Sequence, residues 1–211
     1  MSARLLNNER LINLHIKSRP PGRFLGFKYK DINEFVLNYF QVFGLQATFT
    51  LDSNKLSEVY QTLQKAVHPD RFAHSSDQEK LLAVQKSAMI NDAYQTLKTP
   101  LKRAEYMLKL RGTDMPSEQA SFSDNQFLMR QMELREMLED VKHSEDKDAA
   151  IFDVNQVLDS EFSLLFNALQ LKLNENTQDA DKLASEDLRK LKFYQKLHVE
   201  LERLEELLFD D

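Results

Sequence analysis

The tripeptide His68-Pro69-Asp70 interrupts the chain between two segments that both have helical periodicity. Before it, Asp52 or Ser53 can cap a helix, and the apolar positions that follow recur every three or four residues: Leu56, Val59, Tyr60, Leu63 and Val67. The proline ends that helix, because it lacks an amide hydrogen and its ring clashes with the preceding turn. After the break, Ser76 and Glu79 have the spacing of a capping box, which predicts the start of a second helix.

Helical signals continue on both sides of this pair. The second helix is predicted to run to Pro100, with apolar positions at Leu81, Leu82, Val84, Ala88, Ile90, Tyr94 and Leu97. Pro100 can open a further helix that ends before Gly112, and a short apolar helix over residues 39–43 ends at Gly44. Residues 37–112 are therefore predicted to form a compact helical domain dominated by two antiparallel helices.

Composition excludes several classes of protein. The 211 residues are 42% apolar, enough for a core, and include only 4 Gly and 5 Pro, which disfavours a turn-rich β fold. The absence of cysteine excludes disulfides, cysteine-ligated metal sites and a thiol nucleophile. No apolar run approaches the roughly 20 residues of a membrane span, so we expect no membrane partner.

Charge is divided unevenly along the chain. Residues 1–36 carry 7 basic and 3 acidic side chains, residues 37–112 carry 10 and 7, and residues 113–211 carry 11 and 24. The acidic part would repel a phosphate backbone, and the earlier part has no dense basic stripe. We therefore expect no nucleic-acid partner.

Helices are also predicted in the C-terminal part of the chain. Residues 113–123 are predicted to be a linker. Residues 124–211 are predicted to form a three-helix bundle, with helices near 124–142, 148–174 and 185–208. Ser185 is the predicted cap of the last helix. Residues 1–36 contain the breaker Arg19-Pro20-Pro21-Gly22-Arg23 and are expected to be a poorly ordered extension. The predicted fold class is all-α.

Three motifs together resemble a J-domain. They are the tripeptide His68-Pro69-Asp70, the run Ile90-Asn91-Asp92-Ala93-Tyr94-Gln95-Thr96-Leu97, and Pro100 followed by Arg103-Ala104. The resemblance covers residues 38 to about 111. It implies an antiparallel helical hairpin with short additional helices.

Further stretches are similar to the HscB group, the J-proteins of iron–sulfur cluster assembly. These are Asn38-Tyr39-Phe40-Gln41-Val42-Phe43-Gly44-Leu45 and Arg103-Ala104-Glu105-Tyr106-Met107-Leu108, and in the acidic half Phe127-Leu128-Met129, Met132-Glu133-Leu134-Arg135-Glu136 and Arg189-Lys190-Leu191-Lys192-Phe193. The resemblance thus extends over residues 38–211.

By this resemblance, the first domain binds the ATP-bound form of a DnaK-like chaperone of the HscA type and stimulates its ATPase. His68, Pro69 and Asp70 match the family's essential tripeptide, and Lys65 and Arg71 could add positive contacts. Asp70 is suited to a charge-assisted bond with an arginine of the ATPase. The chain would then be an effector with no catalytic residue and no cofactor. The alternative is a general J-protein that serves unfolded clients.

Two other classes of site are disfavoured. His68, Asp70 and His74 are near neighbours, but a fourth metal ligand is lacking, so no metal site is expected. A hydrolase is disfavoured because no nucleophile–base pair stands out.

The first helix of the acidic half has two apolar faces. At 100° per residue, Phe127, Leu134, Leu138 and Val141 form a core stripe, whereas three further apolar residues lie away from it among acids. The resemblance implies that this second face, with part of the last helix, binds an iron–sulfur scaffold protein of the IscU type, through Leu128, Met129, Met132, Glu133, Glu136, Asp140 and Phe193. We expect the four apolar members to be substantially exposed; the alternative is a helix buried on both sides.

The family pattern also bears on the start of the chain. Family-like sequence begins at Leu37, where bacterial members have their initiating Met. One explanation of residues 1–36 is therefore a misplaced start. If translation truly begins at a UUG codon at position 37, choosing an upstream ATG as the start would make that codon appear as Leu. Eukaryotic members often carry a cysteine-rich module, which is lacking here, and this favours a bacterial cytoplasmic protein. If residues 1–36 are instead a transit peptide, the mitochondrial matrix is the alternative.

Overall fold

The chain folds into helices over all the parts that a computed structural model describes, namely residues 37–116, 122 and 124–209. The helices are α1 (Tyr39–Val42), α2 (Ser53–Val67), a 3₁₀ turn (Pro69–Phe72), α3 (Asp77–Lys98), α4 (Pro100–Leu110), α5 (Asn125–Val141), α6 (Lys147–Glu175) and α7 (Gln178–Phe209). The predicted all-α class is confirmed. Among these helices, none combines the length and apolarity needed to cross a bilayer. The hypotheses about residues 1–36 fall outside the described residues.

The helices begin where the sequence supplies capping side chains. Asp52 accepts hydrogen bonds from the amides of Asn54 and Lys55 at the start of α2. Ser76 and Glu79 form the predicted capping box of α3, in which each side chain accepts a hydrogen bond from the other residue's amide. These bonds satisfy amides that have no partner within the helix.

The start of α7 differs from the prediction. The helix begins at Gln178 rather than near 185, because the hydroxyl of Thr177 accepts a hydrogen bond from the amide of Ala180 and serves as the cap. Ser185 lies buried within the helix, where its hydroxyl donates to the carbonyl of Lys182. Asn176, at φ +53°, ends α6, so only two residues connect the two long helices.

A single apolar core crosses from the N-terminal helices α1–α4 into the bundle α5–α7. The buried members on α6 and α7 pack with those of the first part, and the cluster includes Phe49, Leu56, Ile90, Leu97, Leu101, Ala104, Leu108, Leu169, Leu173, Ala184, Leu188 and Leu191. We call this cluster the shared core. The described residues from Tyr39 onward form one compact unit.

Polar contacts reinforce the same junction. Arg111, just after α4, donates from Nη1 to Asp181 Oδ1 at 2.7 Å and to the carbonyl of Leu173 at 3.0 Å. Asp181 is buried, so this ion pair is largely removed from solvent. Lys192 of α7 reaches Glu105 of α4 at 2.8 Å. The orientation of the N-terminal helices on the bundle is therefore set by packing and by directional bonds.

A second cluster fills the far end of the bundle. It contains Phe127, Leu134, Leu138, Val141, Ile151, Val154, Leu158, Tyr194, Leu197, Leu201 and Leu204. All four residues of the predicted core stripe of α5 are buried here, which confirms that face. The opposite side of α5 is thus left for other contacts.

Candidate functional site

The His68-Pro69-Asp70 turn joins α2 to α3 and has a defined backbone. The amide of Arg71 donates to the carbonyl of His68 at 3.0 Å, and Ala73 donates to the carbonyl of Asp70 at 3.3 Å. Pro69 is the first residue of the 3₁₀ turn, where no amide hydrogen is required. His68 Nδ1 lies 3.4 Å from both the amide nitrogen and Oδ2 of Asp70. The imidazole therefore borders the aspartate without burying it.

Asp70 presents its carboxylate to solvent, with 90% of its side chain exposed. Lys65 and Arg71 are also exposed, and Arg71 Nη1 donates to the carbonyl of Lys65 at 3.3 Å. The turn therefore offers one carboxylate close to two cations. An arginine of a partner could reach this carboxylate and form a charge-assisted hydrogen bond.

Side chains between α2 and α3 hold the helices that flank the turn. Tyr60 Oη and Gln64 Nε2 each donate to Asn91 Oδ1 at 2.7 Å, and Ser87 Oγ donates to Gln64 Oε1 at 3.1 Å. The rings of Tyr60 and Tyr94 stack with centroids 4.0 Å apart. These contacts make the hairpin a rigid support for the turn.

The metal alternative finds no support in the described ranges, where no three His, Asp or Glu side chains gather in an arrangement suited to a metal ion.

The outward face of α5 carries a second candidate surface. Met129 and Met132 are 65% and 73% exposed, and one helical turn brings them onto the same side. The three predicted acidic members, Glu133, Glu136 and Asp140, are exposed as well. The alternative of a helix buried on both sides is therefore wrong for this face.

Two of the predicted apolar residues differ from the expectation of substantial exposure. Leu128 is half-buried, and so is Phe193, which packs edge-on against Phe127 with centroids 5.7 Å apart. The guanidinium of Arg135 lies 5.7 Å from the centre of the Phe193 ring. Phe193 is half-buried because its neighbour Phe127, at the start of α5, belongs to the second core cluster. We call Met129, Met132, Glu133 and Glu136 the methionine surface.

Arg130 organises the side of this surface and was not among the predicted site residues. It donates to Glu161 Oε1 from Nε at 3.0 Å and from Nη2 at 2.6 Å, and to Glu133 Oε2 at 2.7 Å. Burial alone would raise the pKa of Glu161, but hydrogen bonds from Arg130 and Tyr194 bring it below its ordinary value. Burial and the bond to Glu161 raise the pKa of Tyr194. Only the Arg130–Glu133 spacing of three residues was a signal available in the sequence.

Comparisons with known proteins agree with this arrangement. Residues 38–106 match the DnaJ domain model, and residues 123–202 match the model described as the HSCB C-terminal oligomerisation domain. A co-chaperone protein HscB homolog of Colwellia psychrerythraea is 58% identical over 175 residues, which are 83% of this chain and 100% of the relative.

Two solved structures are similar over most of the chain. The chaperone HscB from Vibrio cholerae is 44% identical, with a TM-score of 0.74 over 82% of this chain and 100% of that one. The human co-chaperone protein HscB is 29% identical, with a TM-score of 0.76 over 89% of this chain and 94% of that one.

Proposed function

The chain belongs to the HscB family of J-domain co-chaperones, and from that premise we propose that it couples a DnaK-like chaperone of the HscA type to an iron–sulfur scaffold protein of the IscU type. A J-domain co-chaperone acts on an Hsp70-type partner, and the relatives are named co-chaperones rather than enzymes. The assignment of these two specific partners, and of the bacterial cytoplasm as the location, is our proposal.

The first step of the proposed mechanism is recognition of the ATPase by the tripeptide turn. Asp70 would accept a charge-assisted hydrogen bond from an arginine of the ATP-bound partner, while Lys65 and Arg71 contact acidic groups beside it. Binding favours the hydrolytic conformation of the partner, and no residue of this chain needs to touch the nucleotide.

The second step is capture of the scaffold by the bundle. Met129 and Met132 would insert into an apolar groove of the scaffold, since flexible thioether side chains adapt well to a partner surface. Glu133, Glu136 and Asp140 would form a polar rim that favours a basic partner. Leu128 and Phe193 would contribute their exposed edges.

The observation that carries this proposal is the combination of a solvent-exposed Asp70 with a shared core that fixes the hairpin on the bundle. A scaffold bound to α5 is then held in one orientation relative to the ATPase. The ATPase, this chain and the scaffold would then form one complex, in which hydrolysis is triggered while the scaffold is presented to the ATPase.

The substitution Asp70→Asn tests the first step. We expect loss of ATPase stimulation, because the variant forgoes a charge-assisted bond of roughly 1.5–3 kcal/mol in the activated complex. Single-turnover hydrolysis by an HscA-type chaperone is the measurement, and circular dichroism checks helicity. Asp92→Asn is the matched control, since Asp92 is exposed on α3 and the charge change is identical. Full stimulation by the Asp70 variant would overturn the proposal.

The double substitution Met129→Ala/Met132→Ala tests the second step. Exposed apolar side chains at an interface often contribute about 1–2 kcal/mol each, so we expect scaffold affinity to fall at least about tenfold. Leu164→Ala/Leu171→Ala is the control, because these leucines of α6 are 68% and 66% exposed. Calorimetric titration with an IscU-type scaffold measures both variants. Capture of unfolded polypeptide instead of the scaffold would favour a general co-chaperone.

A further inference from the structure

The most exposed methionines among the described residues lie together on the methionine surface. Met129 and Met132 are 65% and 73% exposed. The other described methionines are shielded: Met89, Met115 and Met137 are half-buried and Met107 is 2% exposed. The most solvent-exposed methionines in this part of the chain thus coincide with the surface that we propose binds the scaffold.

The chain has no cysteine, so its oxidisable sulfur is all thioether. A peroxide transfers one oxygen atom to a methionine sulfur, which gives the sulfoxide, and the peroxide is reduced to water or an alcohol. The sulfur gives up two electrons and the O–O bond breaks, so no further reactant is needed. Access of the oxidant to sulfur favours reaction at the exposed residues over Met107.

We propose that peroxide oxidation of Met129 and Met132 releases the scaffold while leaving the fold intact. This inference rests on the proposed function. The sulfoxide is polar and would have to be desolvated in an apolar groove, which opposes binding. Its partly negative oxygen would also add to a rim that already contains Glu133 and Glu136.

The fold tolerates this change because neither side chain contributes to a core. Met129 and Met132 belong to neither buried cluster, and the buried stripe of α5 is on the opposite face. Oxidation would therefore alter partner binding without unfolding the helix. Because methionine sulfoxide is reduced by dedicated reductases, the modification is reversible and constitutes a redox switch.

The test uses the full chain treated with hydrogen peroxide, which is removed before an IscU-type scaffold is added. Peptide mass spectrometry measures oxygen addition at each methionine, and calorimetric titration measures scaffold affinity. We expect Met129 and Met132 to be oxidised before Met107, affinity to fall at least about tenfold, and methionine sulfoxide reductase to restore it. Circular dichroism should show unchanged helicity.

Two variants make the test specific. For Met129→Leu/Met132→Leu, whatever scaffold affinity is measured before peroxide treatment should be the same after it, because leucine has no sulfur to oxidise. Met129→Gln/Met132→Gln should bind weakly without peroxide, since glutamine imitates the polarity of the sulfoxide.

The outcomes separate this inference from the function on which it rests. If both methionines are oxidised and affinity is unchanged, although alanine substitution weakens binding, the switch is refuted and scaffold binding stands. If peroxide also abolishes binding by the leucine variant, another residue is responsible and the switch is again refuted. If the untreated chain fails to bind the scaffold, the proposed function itself is wrong.

Discussion

Replacement of Leu188 by alanine is expected to destabilise the N-terminal helices and the bundle together, because this fully buried side chain lies in the shared core. Three carbon atoms leave the core, and at about 0.8 kcal/mol each the lost transfer free energy is roughly 2.4 kcal/mol. The cavity that remains adds about 1 kcal/mol or more. We therefore expect the free energy of unfolding to fall by about 3–4 kcal/mol.

Hydrogen exchange followed by mass spectrometry measures this effect separately in the two parts. The slowest amides of α2 (Ser53–Val67) and α5 (Asn125–Val141) report the opening of each part. The free energy of opening should fall by the same amount for the slowest amides of both helices. Leu164→Ala is the control, because that leucine is 68% exposed on α6 and its truncation should cost little.

Unequal loss of protection would refute the reasoning. If α5 exchanges faster in the Leu188 variant while α2 keeps its full protection, the two parts unfold independently and the core does not couple them. If the free energy of opening falls by less than about 1 kcal/mol in both α2 and α5, the surrounding side chains relax into the space that the missing atoms leave.

Two further predictions concern local bonds. The pKa of Glu161 is lower in the folded protein than its ordinary value of 4.5, because Arg130 and Tyr194 hydrogen-bond to its carboxylate. These bonds therefore stabilise the fold fully above pH 4.5, and that stabilisation is lost as the pH falls through the folded-state pKa. The free energies of unfolding of wild type and Glu161→Gln, measured in urea, should thus differ at pH 7, and the difference should shrink as the pH is lowered below 4.5. A constant difference would contradict the assignment. Ser76→Ala should lower stability by about 1 kcal/mol through loss of the α3 cap, measured by urea unfolding, and no change would show that Glu79 alone suffices.

The sequence predicts those elements whose signals are local. The residue types and spacing of Asp52, Ser76 and Pro100 are enough to predict where helices begin. The structure has helices that start at Ser53, Asp77 and Pro100. The exposure of Met129 and Met132 likewise follows from their angle to the core stripe of the same helix. Such features depend on neighbours within one or two turns.

Features that join distant parts of the chain were not predictable in this way. Arg111 and Asp181 are 70 residues apart, and nothing in either neighbourhood indicates that they form a pair. Phe193 was expected to be substantially exposed as a member of the scaffold-binding surface, but it is half-buried because it packs against Phe127 on another helix. The helix start near Ser185 was wrong because Thr177 offered an equally good cap earlier in the chain.

The shared core has an entropic consequence for assembly. A flexible tether between two binding surfaces leaves each bound partner free to diffuse, and the effective molarity of one near the other falls as the tether lengthens. Here the orientation is set by buried leucines and by the Arg111–Asp181 pair, rather than by the length of segment 113–123. The translational and rotational freedom of the tripeptide turn relative to the methionine surface is lost once, during folding. Under the proposed function, it does not have to be lost again when the two proposed partners bind.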